Sequence, residues 1–121
     1  MGAFHVSIEI GDFDGRRFER VDALVDTGAT YTWIPEDILT RLGLEPQEKR
    51  PFILADGREI YYGVRWVGGR IGGRFTPTIV IFGHPGSEPL LGVVTLEELG
   101  LGADPVNERL ISVPGRLKRA S

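Results

Sequence analysis

Asp26, Thr27 and Gly28 follow an apolar run in the stretch "ALVDTGATYTWIP", residues 23–35. A carboxylate at the buried end of a strand is costly unless it is paired or put to use. Its natural chemistry there is proton transfer, as a general base toward water or as a general acid. Alone, an Asp-Thr-Gly is weak evidence, because Asp and Gly are common wherever a strand ends in a turn. The other candidates are thinner. His5 and His84 are lone histidines without metal-ligand spacing, so no metal site is expected. The absence of cysteine excludes a disulfide scaffold, a thiolate nucleophile and a Cys-based metal site. Glu97 and Glu98 read as helix-end charges on a solvated face, and Trp33, Tyr61, Tyr62 and Trp66 as core and cleft lining.

Periodicity gives the elements that must hold Asp26. Phe4, Val6, Ile8 and Ile10 fall on one face of a period-two strand. "GDFDGRR" supplies an Asp-Gly turn, and residues 20–25 return as a second strand that ends at Asp26. "IPEDILTRLG" predicts a short helix with Pro35 at its first position, Glu36 and Asp37 at its positive end and Gly43 closing it. "RPFILADGREIYYGVRW" has the form of a hairpin turning at Asp56-Gly57, with Ile60, Tyr62, Val64 and Trp66 alternating on the return strand. Residues 78–82 predict a further strand. "PLLGVVTLEELGL" predicts a second helix, with Thr95 and Glu98 as a capping box and Gly100 as its stop. Residues 110–113 form a last strand in this reading. The sum is one mostly-β domain over residues 1–121 with two short helices.

Composition agrees with an ordinary soluble globular chain: 121 residues, 41% hydrophobic and 26% charged, enough for one domain and short for two. A formal charge of −3 offers no basic field, so no nucleic-acid partner is expected. No apolar run approaches the roughly 18 residues of a membrane span. The start lacks the charged leader and unbroken apolar stretch of a signal peptide. Gly2 follows Met1, but Val6 stands where a myristoylation signal wants Ser or Thr. A cytoplasmic location is the default expectation, with no membrane partner.

"LVDTGAT" resembles the active-site loop of the aspartic proteases, whose pattern is apolar-Asp-Thr/Ser-Gly. Leu90-Leu91-Gly92 looks like the family's two apolar residues and Gly that lie beneath that loop. The order Asp-Thr-Gly, helix, hairpin, strands, Leu-Leu-Gly, helix, strand resembles the retroviral-type (retropepsin-like) proteases over nearly the whole chain. The resemblance implies an acid-protease half-barrel, completed as a two-fold homodimer. One Asp-Thr-Gly in 121 residues is half an active site, so Asp26 is expected to face Asp26 of a second copy. Two such carboxylates hold one proton between them. One then acts as base on a water that attacks the peptide carbonyl, while the other protonates the carbonyl oxygen. The implied activity is that of an aspartic endopeptidase on peptide or protein substrates, with neither metal nor organic cofactor.

Roles carry over by position. Thr27 matches the threonine that bonds across the two-fold axis, and Gly28 the glycine whose carbonyl accepts from the substrate backbone. Ala29 matches a position that is Ala or Ser. Thr30 departs from the usual Asp: it can still hydrogen-bond but has no charge to offer the family's intersubunit contact. The flap tip is read as Ala55-Asp56-Gly57, with Ile53, Leu54, Ile60 and Tyr61 as cleft walls. "GGRIGG", residues 68–73, looks like a Gly-rich flap tip but lies too far along the chain, and a turn between strands is the better reading. Nor does it open a helix after a strand, as a dinucleotide loop would. In the family the chain ends interleave between subunits; residues 1–5 and 110–113 match those segments. The rival reading is a catalytically inactive, protease-like module that binds peptides or serves as a dimerisation domain.

Overall fold

A computed structural model describes residues 3–14 and 16–119. Its strands are β1 (His5–Gly11), β2 (Phe18–Val25), β3 (Thr32–Pro35), β4 (Glu48–Ile53), β5 (Glu59–Ile71), β6 (Arg74–Gly83), β7 (Leu90–Leu91), β8 (Leu101–Asp104) and β9 (Arg109–Ser112). Helix α1 (Glu36–Arg41) lies between β3 and β4, and α2 (Val93–Glu98) between β7 and β8. Seven strands form one sheet in the order β1-β2-β7-β3-β6-β5-β4. The long β5 also returns to β1, pairing Glu9 with Arg70 and Gly11 with Gly68, which curls the sheet around its core. β8 and β9 form a separate two-stranded sheet.

Alternation places Ile8 and Ile10 of β1 and Ala23 of β2 fully inside, where they meet Ile34, Leu39, Val80 and Leu91. Each such aliphatic side chain contributes about 1.5–3 kcal/mol by leaving water. The segment of β6 from Thr78 to Gly83 is buried on both faces, as a strand between two others should be. A second cluster, Val64, Ile79 and Ile81, is covered by Tyr31, Trp33, Phe52 and Tyr62.

Both helices stop at glycines with positive φ, Gly43 at 75° and Gly100 at 71°. Their starts differ from the sequence reading. Pro35 is the N-cap of α1 instead of its first residue. α2 begins at Val93 with Gly92 as N-cap, so Thr95 lies inside the helix and forms no capping box. The reason is that Val93 N–H and Val94 N–H donate to Ala29 O (2.9 Å) and Thr30 O (3.0 Å). The loop after Asp26 thus satisfies orphan donors at the helix start, and no side-chain cap is needed.

Three further expectations change. β2 begins at Phe18, and the Asp14-Gly15 turn before it falls partly on Gly15, outside the described residues. Gly68 and Gly69 are buried within β5, so only Gly72 and Gly73 form the turn into β6. The last strand is β9, preceded by β8, which sequence reading missed. Among the described residues no helix is long and apolar enough to cross a membrane.

Candidate active site

Asp26 leaves the end of β2 through a backbone that is pinned from below. β2 runs parallel to β7, with Leu24 beside Leu90 and Val25 beside Leu91. Asp26 N–H donates to Leu91 O (3.1 Å), and Ala29 N–H returns to Asp26 O (3.0 Å). Gly28 N–H donates to Asp26 Oδ1 at 2.9 Å, which fixes the orientation of the carboxylate. Asp26 is partly exposed in this single chain, and Thr27, Gly28 and Thr30 are exposed. The opening lies toward a cavity of about 520 Å³ lined by Ala3, Phe4, Val25, Asp26, Thr27, Ala103 and Pro105. Among the described residues Asp26 is the only acid in that lining.

Leu90-Leu91-Gly92 lies against the loop in a way that fixes its residue types. A Cβ on Gly92 would stand 2.5 Å from Tyr31 C and 2.8 Å from Thr30 O, so only glycine lets the two backbones approach. Gly92 N–H donates to Thr32 Oγ1 (3.0 Å). Thr32 Oγ1 lies 2.7 Å from Thr95 Oγ1, which lies 2.8 Å from Thr78 Oγ1. All three threonines are fully buried, and among the described residues no buried side-chain polar atom lacks a partner. This hydroxyl chain ties β3, β6 and α2 together directly under the loop. Sequence reading missed it, since threonine is common in strands and its spacing does not say where the hydroxyl points.

The Asp56-Gly57 hairpin is present as β4, a turn and β5. Gly57 has φ 89°, Leu54 N–H donates to Arg58 O, and Asp56 accepts from Arg58 N–H (3.0 Å) and Arg58 Nε (2.7 Å). These bonds, the backbone one first, hold the Asp56 carboxyl below its ordinary pKa. Ala55, Asp56 and Gly57 are exposed, and Leu54 and Ile60 are half-buried. Phe52 meets Tyr31 edge-on (centroids 6.3 Å), and Tyr62 meets Trp33 (5.1 Å). Ile60 stands opposite Phe52, whereas Ile53 and Tyr61 alternate to the other face and are 68% and 58% exposed. Tyr62, expected as core and cleft lining, and Phe52, which sequence reading did not single out, therefore join the hairpin to the strand after the Asp26 loop. Trp33 Nε1 in turn donates to Ser87 Oγ (2.9 Å), and Trp33 packs against the His84 ring.

A larger cavity of about 730 Å³ lies between α1, the segment before β4 and the base of the hairpin, bordered by Glu36, Lys49, Tyr61 and His84, and contains no residue of the Asp26 loop. The oriented Asp26 carboxylate lines the smaller cavity instead. Among the described residues no three His, Cys, Asp or Glu side chains converge as metal ligands. Near Asp26, the β8–β9 turn is held by Asp104, whose carboxyl lies below its ordinary pKa through bonds from Asn107 Nδ2 and the Asn107 and Val106 amides, with Arg109 nearby.

The sequence matches the aspartyl protease family over residues 6–95, a span that includes the Asp26 loop, the hairpin and Leu90-Leu91-Gly92. Among curated proteins none matches. Among solved structures, a retropepsin-like aspartic protease from Rickettsia conorii is similar with a TM-score of 0.57 and 21% identity, covering 85% of this chain and 88% of that one. The simian foamy virus (mac) protease is similar at a TM-score of 0.48 and 23% identity, over 72% of this chain and 87% of that one. The half-barrel is of the retropepsin-like type, and the chain belongs to the aspartyl protease family.

Proposed function

We propose that the protein is a homodimeric aspartic endopeptidase whose active site is assembled from the Asp26 residues of two copies. The observation that carries the reading is the oriented Asp26 carboxylate, partly exposed on an open cavity whose lining, among the described residues, holds no second acid. A pair of carboxylates sharing one proton can take a proton from water and give one to the carbonyl oxygen in the same event. Water adds to the peptide carbonyl carbon, giving a tetrahedral diol. The diol collapses as the C–N bond breaks and the leaving nitrogen takes a proton, yielding a carboxylic acid and an amine.

In this reading Thr27 and Gly28 hold the partner loop and the substrate backbone, while Ala29 and Thr30 flank them. The hairpin tipped by Ala55, Asp56 and Gly57 closes over an extended peptide, with Leu54 and Ile60 beneath it and Ile53 and Tyr61 on its outer face. Leu90, Leu91 and Gly92 support the loop, and residues 1–121 act as one domain. Residues 1 and 2 of the expected N-terminal interface segment lie outside the described residues. The test is incubation with an unfolded protein, comparing the native chain with Asp26→Asn. Cleavage by the former and none by the latter is expected. Cleavage retained in Asp26→Asn refutes the assignment, and none by either across pH and protein concentration favours the peptide-binding alternative.

A further inference from the structure

The Gly72-Gly73 turn delivers Arg74, the first residue of β6, to the C-terminal end of α2. Arg74 Nη1 lies 2.8 Å from Leu99 O and 3.0 Å from Gly100 O, and Nη2 lies 2.6 Å from Ser112 Oγ. Gly100 O also accepts from Val113 N–H at 2.9 Å. One guanidinium therefore joins the start of β6, the end of α2 and the end of β9. Its acceptors are the carbonyls at the negative end of the helix and a hydroxyl, and among the described residues it forms no ion pair with a carboxylate. That is where a fork of donors is best used.

What it holds bears on Asp26. Among the described residues β8 and β9 pair only with each other, and a lone two-stranded hairpin is marginally stable at best. Leu101, Ala103 and Leu110 dock the pair on the main core. Its turn end gives Ala103 and Pro105 to the Asp26 cavity, and its base is what Arg74 fastens.

We infer that Arg74 is a positioning residue for the Asp26 site: by fastening the base of the C-terminal hairpin, its guanidinium fixes where Ala103 and Pro105 stand beside Asp26, and with them the surface on which a second copy completes the carboxylate pair. The inference rests on the dimeric reading proposed above. Lysine cannot substitute fully, because a point charge on a flexible stem does not reproduce the fork that spans three acceptors.

The experiment uses the full chain and measures cleavage against protein concentration, thermal midpoint and amide exchange for the native protein, Arg74→Met, Arg74→Lys and Ser112→Ala. Arg74→Met is expected to need about tenfold more protein to reach half-maximal activity, with kcat at saturating protein unchanged. Arg74→Lys recovers part of that shift, and Ser112→Ala shows a smaller shift in the same direction. Amides of residues 101–112 exchange faster in Arg74→Met, while those of β1 and β2 do not. A merely stabilising arginine lowers the thermal midpoint and leaves the half-maximal concentration unmoved, which overturns the proposal. If Arg74→Met does not fold, Arg74→Lys and Ser112→Ala decide on the same criteria. A native protein fully active as a monomer refutes the dimeric reading itself. In a native protein that never cleaves, unchanged hairpin exchange in Arg74→Met still overturns the fastening, and selective loosening supports it.

Discussion

The loop that carries Asp26 and the hairpin tipped by Gly57 are both parts of the proposed cleft, yet they are held by opposite means. Beneath the loop, Thr32, Thr78 and Thr95 are sealed from water, and Gly92 brings two backbones into direct contact. The hairpin tip is exposed, and its polar groups are satisfied within four residues, by Asp56 and Arg58. Buried hydrogen bonds with no solvent alternative are expensive to break, so the loop is fixed. Solvated turn bonds are cheap to exchange for water, so in the proposed enzyme the tip is expected to open and close. An enzyme that must orient a carboxylate and admit a polymer needs both.

The largest expected effect falls on the rigid side. Gly92→Ala sets a Cβ against Tyr31 and Thr30 backbone atoms, which cannot swing aside, and should destabilise the fold by on the order of 3 kcal/mol and abolish cleavage. Denaturant unfolding measures it, and native-like stability in this variant breaks the claim that the loop is pinned. Next comes Thr95→Val, which keeps the shape but leaves the Thr32 and Thr78 hydroxyls without their shared partner, a loss of about 1–3 kcal/mol. Had Thr95 been a surface cap, the loss would be smaller and Glu98→Ala would match it. Equal unfolding midpoints for Thr95→Val and Glu98→Ala contradict the buried network.

On the mobile side, Gly57→Val strains a turn residue at φ 89° by about 1–2 kcal/mol. Because the tip carries little of the fold, turnover should fall more than global stability. A variant with native kcat/KM points to another segment as the flap. The smallest effect is on pH. The folded-state pKa of Asp56 is depressed, so its stabilisation of the turn is present above the unfolded value of about 3.9 and is lost as pH falls through the folded value. Amide signals of residues 54–58 should therefore shift only in strongly acidic solution, and a change centred near neutrality would exclude Asp56 as the cause.

These contrasts also explain what the amino-acid order made legible. The Asp26 loop and Leu90-Leu91-Gly92 could be read through their resemblance to the aspartic proteases, whose glycine the close approach at Gly92 explains, and the hairpin because Asp56-Gly57 suits a tight turn. Thr95 could not, since the same hydroxyl serves a helix cap or a buried bond, and the choice depends on Thr32, 63 positions away, and Thr78, 17 positions away. Alternation gave the hairpin two faces without saying which turns inward; Tyr31 and Trp33 decide that by packing on Phe52 and Tyr62. β8 escaped notice because four half-buried residues, Leu101–Asp104, take their shelter from α2 and the core rather than from a pattern of their own.

The central claim, that one active site draws one carboxylate from each of two copies, is tested most directly by mixing. Native protein is diluted stepwise with Asp26→Asn protein at constant total concentration, under conditions where the dimer predominates and chains exchange freely. If both carboxylates are required, activity follows the square of the native fraction and an equal mixture retains about a quarter. If each chain carries a complete site, the equal mixture retains about half, and that result contradicts the account.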